Sequence, residues 1–313
     1  MERRAFNTRD DPAVGLGTGL SWDQDSLLAA RAKRYRRRPH LRVRTEAEAL
    51  EFLNDVGLCS LFSAKEIELP SLWGALCGED RLVPERHDDH ELGLAWHWKD
   101  TLPNSGRVLY GKYLRKKPVF VSLELAPYLY ALSPNYGNPA EDYLEDYRDG
   151  RLAVEAKQVY QVLLEQGALP TSRLRLEAAL GGKASAPRFD RALADLQMDM
   201  RITKVAISDA NRWGYCYVYD LLPRHYPGVV EAAKEISGRQ AMERILLCYL
   251  NTVLAATCQA VSSLFGWTSG DVERAATRLA AEGRLHAGVR IEGLRGEYLV
   301  TTAGGETVGT QSA

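Results

Sequence analysis

One order of elements occurs twice in this chain, about 83 residues apart, and that limits its architecture more than composition does. In Glu155 to Gln166 (EAKQVYQVLLEQ), Val159, Val162 and Leu163 fall at helical spacing, and Gly167 ends the run. Thr171 opens a second short helix, TSRLRLEAAL, stopped by Gly181 and Gly182. Pro187 suits the first turn of a third, RFDRALADLQMDM, with Phe189, Leu193 and Leu196 as its inner stripe. Arg201 to Ser208 then alternates, a turn follows at Asp209-Ala210-Asn211, and Trp213 to Asp220 alternates again. Three short helices followed by a hairpin describe a winged helix. The order returns with a long helix within Ser237 to Leu254, a short one at Thr257 to Phe265, and SGDVERAATRLAAEG capped by Thr268. RLHAGVRI and EYLV then flank a turn at Gly293 to Gly296. Leu196 and Leu279 take equivalent places, and each unit is too small to carry much core alone.

The predicted fold class is therefore α+β, mainly α, with tandem winged-helix domains around a central cradle. The expected divisions are an unstructured start (1–24), an N-terminal winged-helix-like region (25–140), a second winged helix (151–227), a third (237–301) and an unstructured tail (302–313). The 313 residues, 45% hydrophobic and 26% charged, suit two or three such units. Ile245–Leu250 with Val253–Ala256 is too short and interrupted to cross a bilayer. The start MERRAFNTRDDP has no apolar run, so neither a secretory signal nor a transit peptide is expected, and the location expected is cytoplasmic.

The cysteines, Cys59, Cys77, Cys216, Cys248 and Cys258, form no C-x-x-C pair, which argues against a zinc site or a disulfide framework. Free thiols in a reducing compartment are expected. His87 and His90 with Asp88 and Asp89 read as a solvated charged loop rather than a metal site. No metal and no cofactor are expected.

Forty Lys and Arg against 41 Asp and Glu hide an uneven distribution. RAKRYRRRPHLRVR (31–44) holds eight bases and no acid, and PNSGRVLYGKYLRKKP (103–118) holds five and no acid. Acids gather in EDYLEDYRD (141–149). Segregated charge of this kind is the footprint of a chain that meets a polyanion on one face, although each stretch alone also reads as a solvated face or a loose arm. Between the repeats, Lys183, Arg188 and Arg191 offer phosphate contacts at the third helix of the first copy. The second copy balances four bases with four acids over 266–292, which suits packing or a protein partner. Trp96, Trp98, Tyr110, Tyr113, Tyr128 and Tyr130 crowd the segment carrying the bases of 107–117. Interleaved aromatics and bases stack nucleobases and hold phosphates, or else make the core and rim of a small domain.

In the N-terminal third, Val56-Gly57-Leu58 precedes Ser71-Leu72-Trp73-Gly74-Ala75-Leu76, an aromatic block ending in Leu-Pro (Trp96 to Pro103), and the repeated units; Tyr217 to Pro227 reads YVYDLLPRHYP. In this order of parts, over roughly 25–300, the chain resembles the bacterial interstrand-crosslink DNA glycosylases of the AlkZ/YcaQ type. The resemblance implies tandem winged helices, double-stranded DNA, alkylated or crosslinked duplex included, as partner, and removal of alkylated bases as the activity. It also implies a catalytic tripeptide, Gln-apolar-Gln or Gln-apolar-Asp, where this chain has Ser60-Leu61-Phe62. Cleaving an N-glycosidic bond needs a water held opposite the leaving base, and neither Leu61 nor Phe62 can hold one. The family's frequent His-Glu is here Trp98-Lys99, followed by Asp100.

Substitute carboxylates are Asp55, Glu66, Glu68, Asp100 and Glu124, each by default a surface acid. Asp100 and Glu124 are the best candidates, since alternation in PVFVSLELAPYLY puts Phe120, Ser122 and Glu124 on one strand face. The expected function is duplex DNA binding with base excision lost or altered. The alternatives are an active glycosylase with a substituted catalytic residue and a winged-helix transcriptional regulator. Expected phosphate contacts are Arg36, Arg37, Arg38, Lys116, Lys117, Lys183, Arg188 and Arg191.

Overall fold

The computed structural model describes residues 22–64, 67–85, 88–210 and 214–302. A two-residue strand, β1 (Trp22–Asp23), runs into helix α1 (Gln24–Arg34), capped by the Asp23 carboxylate on Ser26 N. The first unit follows: α2 (Glu46–Val56), β2 (Leu58–Ser60), α3 (Leu72–Cys77), α4 (His90–Asn104) and the hairpin β3 (Val108–Leu114) and β4 (Lys117–Ser122). Short helices α5 (Ala126–Ala131) and α6 (Asp142–Arg148) lead to the second: α7 (Val154–Gln166), β5 (Leu169–Pro170), α8 (Thr171–Glu177), α9 (Ala186–Met198), β6 (Ile202–Ser208) and β7 (Cys216–Leu221). Then α10 (Leu222–His225) and α11 (Pro227–Lys234) reach the third: α12 (Gly238–Val253), β8 (Ala255–Ala256), α13 (Cys258–Phe265), α14 (Ser269–Ala281), β9 (Leu285–Val289), β10 (Ile291–Glu292) and β11 (Tyr298–Thr301).

The chain is thus mixed α and β, with helices set against small sheets. Each unit runs helix, short strand, helix, helix, hairpin, and its antiparallel sheet has the first strand beside the last: β2-β4-β3, β5-β7-β6 and β8-β11-β9. The helix starts follow their caps. Thr45 Oγ1 accepts from Glu48 N, Thr268 Oγ1 from Asp271 N, and Ser237 makes a reciprocal capping box with Gln240. Gly57 ends α2 at φ +71°, and a Cβ there would lie 2.5 Å from Cys248 Sγ on α12, so only glycine fits.

The first sheet is covered on both faces. Cys59, Tyr110 and Phe120 join Phe52, Trp73 and Trp98 of α2, α3 and α4. Leu58, Leu109 and Val121 join Leu246, Leu250 and Val253 of α12. A strand buried on both sides carries no polar face, which is why Glu124 does not lie on it. Strand β4 ends at Ser122, a turn follows before Pro127 enters α5, and Glu124 points outward to pair with Arg244. The second unit keeps its own core of Val159, Leu163, Phe189, Leu196, Ile202 and Leu221.

The start of the chain departs from expectation, because order begins before residue 25. Trp22 is buried, and Trp22 and Asp23 pair in parallel with Ile291 and Glu292. Residues 1–21 and 303–313 lie outside the described residues. The basic stretch 31–44 is not a loose arm. Arg31 donates to the carbonyls of Val253 and Ala255, each at 2.8 Å, and Arg34 to those of Asn251 and Asp55. These bonds fasten α1 across the first and third units.

Candidate functional site

Where β2 leaves the first sheet, Ser60, Leu61 and Phe62 form one wall of a cleft of about 340 Å³. Ser60 is held down: its amide and hydroxyl both donate to Pro70 O, at 2.9 and 3.0 Å. The Phe62 ring meets Trp73 and Trp96 edge-on, with centroids 6.2 and 5.6 Å apart. Leu61 is buried. The tripeptide position therefore offers one hydroxyl, already committed, and no carboxylate or carboxamide. Trp96, Tyr110, Lys117, Val119 and Tyr217 form the facing walls, with the Lys99 amine among them. Aromatic walls with a few polar groups suit a planar ligand.

Lys99 lies on the face of α4 that meets the β6–β7 hairpin and is 2% exposed. Its Nζ makes a short ion pair with Asp100 Oδ1 and donates to the hydroxyls of Tyr215 and Tyr217, both at 2.6 Å. The rings of Trp96, Tyr215 and Tyr217 surround it at 4.7 to 5.3 Å. The Tyr215 hydroxyl also donates to Asp100, at 3.1 Å. An ammonium so enclosed is held by its carboxylate and by the ring faces together.

A second amine enters the same box. Lys204, on β6, is 8% exposed, with its Nζ 3.7 Å from the Tyr217 centroid and 4.5 Å from that of Tyr110. Burial first, then the charges of Lys99 and Lys112, push its amine down to about 7, with Asp100 acting in the opposite sense. Burial likewise pushes the phenols of Tyr110 and Tyr217 well up, so both stay protonated as donors. A cavity of about 10 Å³ sits here, bordered by Lys99, Asp100, Asn104, Tyr110, Lys204 and Tyr217, so three of its residues border the cleft as well.

Of the expected site residues, the fold brings Ser60 and Phe62 to the cleft and Asp100 to the amine cluster beside it. Glu124 is exposed and engaged by Arg244 elsewhere. Asp55 pairs with Arg34 at 2.5 Å, and Glu68 with Arg31 and the Tyr35 hydroxyl, so both serve packing. Glu66 and His87 lie outside the described residues. Among the described residues, no cluster of three or more His, Cys, Asp or Glu could hold a metal, and the five cysteines are free.

The expected phosphate contacts differ in availability. Arg36 stacks on Phe52 near Glu51, Arg37 stacks on Tyr35 near Asp80, and Arg38 donates to Ala29 O. Lys116, at the β3–β4 turn, pairs with Asp195 of α9. Lys117 borders the cleft, and Lys183, Arg188 and Arg191 are exposed near the start of α9, with Arg188 3.1 Å from Glu155. Sequence reasoning missed the Lys99 and Lys204 pair. The available signal was the alternation Tyr215, Tyr217, Tyr219, which sends three phenols to one face of a strand beside a lysine-bearing one.

The model of a family described as AlkZ related matches residues 43–266. Among solved structures, the DNA glycosylase AlkZ of Streptomyces sahachiroi matches with a TM-score of 0.56 at 12% identity, over 92% of this chain and 72% of that one. At that identity the likeness concerns the fold. No curated protein matches the sequence.

Proposed function

Since the chain belongs to the AlkZ-related family, we propose that it is a duplex-DNA-binding, glycosylase-like repair protein whose base-excision step is lost or altered. Each helix, strand, helix, helix, hairpin unit is read here as a winged helix. What carries the proposal is the state of the tripeptide position: the Ser60 hydroxyl proton is spent on Pro70 O and Phe62 is packed between two tryptophans, so no carboxylate or carboxamide there orients a water. The aromatic cleft beside it fits an unstacked base, and an alkylated or crosslinked duplex is the partner it suits.

In a winged helix the third helix enters the major groove. The Lys99–Asp100 face of α4 is covered by the β6–β7 hairpin, which keeps that face out of a groove. The opening turns of α9 are uncovered, so the phosphate contacts are assigned to Lys183 and Arg191, to Arg188 in exchange for its Glu155 contact, and to Lys117 at the cleft. Arg36, Arg37, Arg38 and Lys116 are engaged by the protein's own groups, Lys116 across to Asp195 of the second unit. A duplex binder of this kind belongs with the nucleoid in the cytoplasm.

The test is to incubate the protein with a duplex carrying N7-alkylguanine and measure both binding and abasic sites. Binding without release above the spontaneous rate is expected. Release clearly above that rate overturns the lost-activity reading, and absence of binding overturns the whole. One observation favours a second reading, an active glycosylase: the Asp100 carboxylate borders a small cavity that shares Lys99, Tyr110 and Tyr217 with the cleft. That reading requires release that Asp100→Asn abolishes while binding persists.

A further inference from the structure

We propose that the Lys204 amine is an imine-forming nucleophile, and that its substrate class is an aldehyde, namely the open-chain deoxyribose of an abasic site. The choice of substrate rests on the duplex-binding reading; the reactivity of the amine does not.

Lysine ordinarily keeps its head group in water. Lys204 does not: it is nine-tenths buried under two tyrosine rings, and among the described residues no oxygen accepts a hydrogen bond from its Nζ. The one carboxylate on the same cavity wall, Asp100, already accepts from Lys99 and Tyr215. An ammonium stripped of most of its water is unfavourable, whereas a neutral amine is tolerated. Its lowered pKa, with the causes given above, leaves about half of it as free base near neutrality, against roughly one part in a thousand for an exposed lysine. A desolvated lysine beside a second cation is one recognised form of activated amine nucleophile.

The surroundings supply the other parts of a condensation. The cavity holds about one water-sized group, enough for a carbonyl oxygen. The Lys99 ammonium borders it, its three N–H groups taken by Asp100, Tyr215 and Tyr217, so it contributes charge rather than a proton. The Lys204 lone pair attacks the aldehyde carbon, the carbonyl electron pair moves to oxygen, and the nitrogen passes one proton to that oxygen, giving a carbinolamine. A proton from solvent then converts the hydroxyl to water, which leaves as the C=N bond forms, and the iminium returns its proton to solvent. The balance is amine plus aldehyde to imine plus water. A reaction that removes a base from DNA supplies this aldehyde.

A purely structural role for Lys204, a staple between β6 and β3, makes no such demand. Lys204→Arg separates the two, because arginine keeps the charge and the ring contacts but forms no imine. Full-length protein is incubated with an abasic-site duplex and cyanoborohydride at pH 7, and adducts are mapped by mass spectrometry. An adduct on Lys204, absent from a folded Lys204→Arg variant that still binds duplex, is the expected result. Duplex binding without an adduct, or an adduct on another amine, overturns the inference. If no duplex binds, the functional reading above fails and propionaldehyde with cyanoborohydride decides the amine chemistry. Alkylation of Lys204 at least about tenfold faster than of the exposed lysines upholds it, and uniform alkylation overturns it.

Discussion

The guanidinium of Arg201 donates to the carboxylate of Asp146 with side-chain exposures of 1% and 3%, which ties the start of the second hairpin to α6. Arg151 donates to the other oxygen of that carboxylate at 2.7 Å. Removing one partner of a buried pair leaves the other charge without compensation. Arg201→Met should therefore cost about 3 kcal/mol, the surviving Arg151 contact keeping it at the low end for a broken buried pair. A shift of the urea midpoint under an unchanged m-value would measure it.

Gly57→Ala should destabilise by roughly 2–4 kcal/mol, combining left-handed backbone strain with the clash on Cys248 Sγ. The two contributions separate in a double variant. Cys248→Ala relieves the clash but not the strain, so the pair should recover part of the lost melting temperature, and full recovery would show that strain contributes nothing.

Lys204 makes stability depend on pH. Its folded value, about 7, lies below the ordinary lysine value of 10.5, so between the two the unfolded chain binds more protons and stability rises with pH. Wild type should gain on Lys204→Met as pH climbs from about 7 towards 10, by up to about 1.4 kcal/mol per unit. Below 7 the two should run parallel. Urea unfolding of both proteins across pH 6 to 9 gives the comparison, and a constant difference throughout would contradict an amine that titrates near neutrality.

Arg188 and Arg191 project from the α9 turns assigned to phosphate. Replacing both by Ala should weaken duplex binding about evenly across sequences and lower the salt slope by ~1–2 units. Fluorescence anisotropy over a salt series reads the slope; an unchanged slope would place the duplex on another face. A strong preference for one operator sequence would instead favour a transcriptional regulator.

Much of the architecture was legible because the two later units announce themselves locally. The stripe Phe189, Leu193, Leu196 and the caps Thr268 and Ser237 each specify an element from a few neighbouring residues. The first unit was harder to read. Its strands are apolar on both faces, so alternation misplaced Glu124, and only knowledge of α12 on the far side explains Leu58 and Val121. The resemblance singled out Ser60-Leu61-Phe62, which borders the cleft, but neither the cleft nor the amine cluster was legible. Lys99 and Tyr217 lie 118 positions apart, and nothing local says that they meet. The anchoring of the charge run 31–44 was hidden for the same reason: the backbone carbonyls and the acids that engage Arg31 and Arg34 come from elsewhere in the chain.

The parallel pairing of Trp22–Asp23 with Ile291–Glu292 brings the opening of the described chain against its last hairpin. The described stretch from Trp22 to Glu292 is thereby closed into a loop without a covalent bond. A circularly permuted version, with residues 22 and 302 bridged by a flexible peptide and its new ends placed between α6 and α7, would keep every strand pairing described above. Deleting β1 would instead open that loop and leave the edge of the last unit free to recruit another chain.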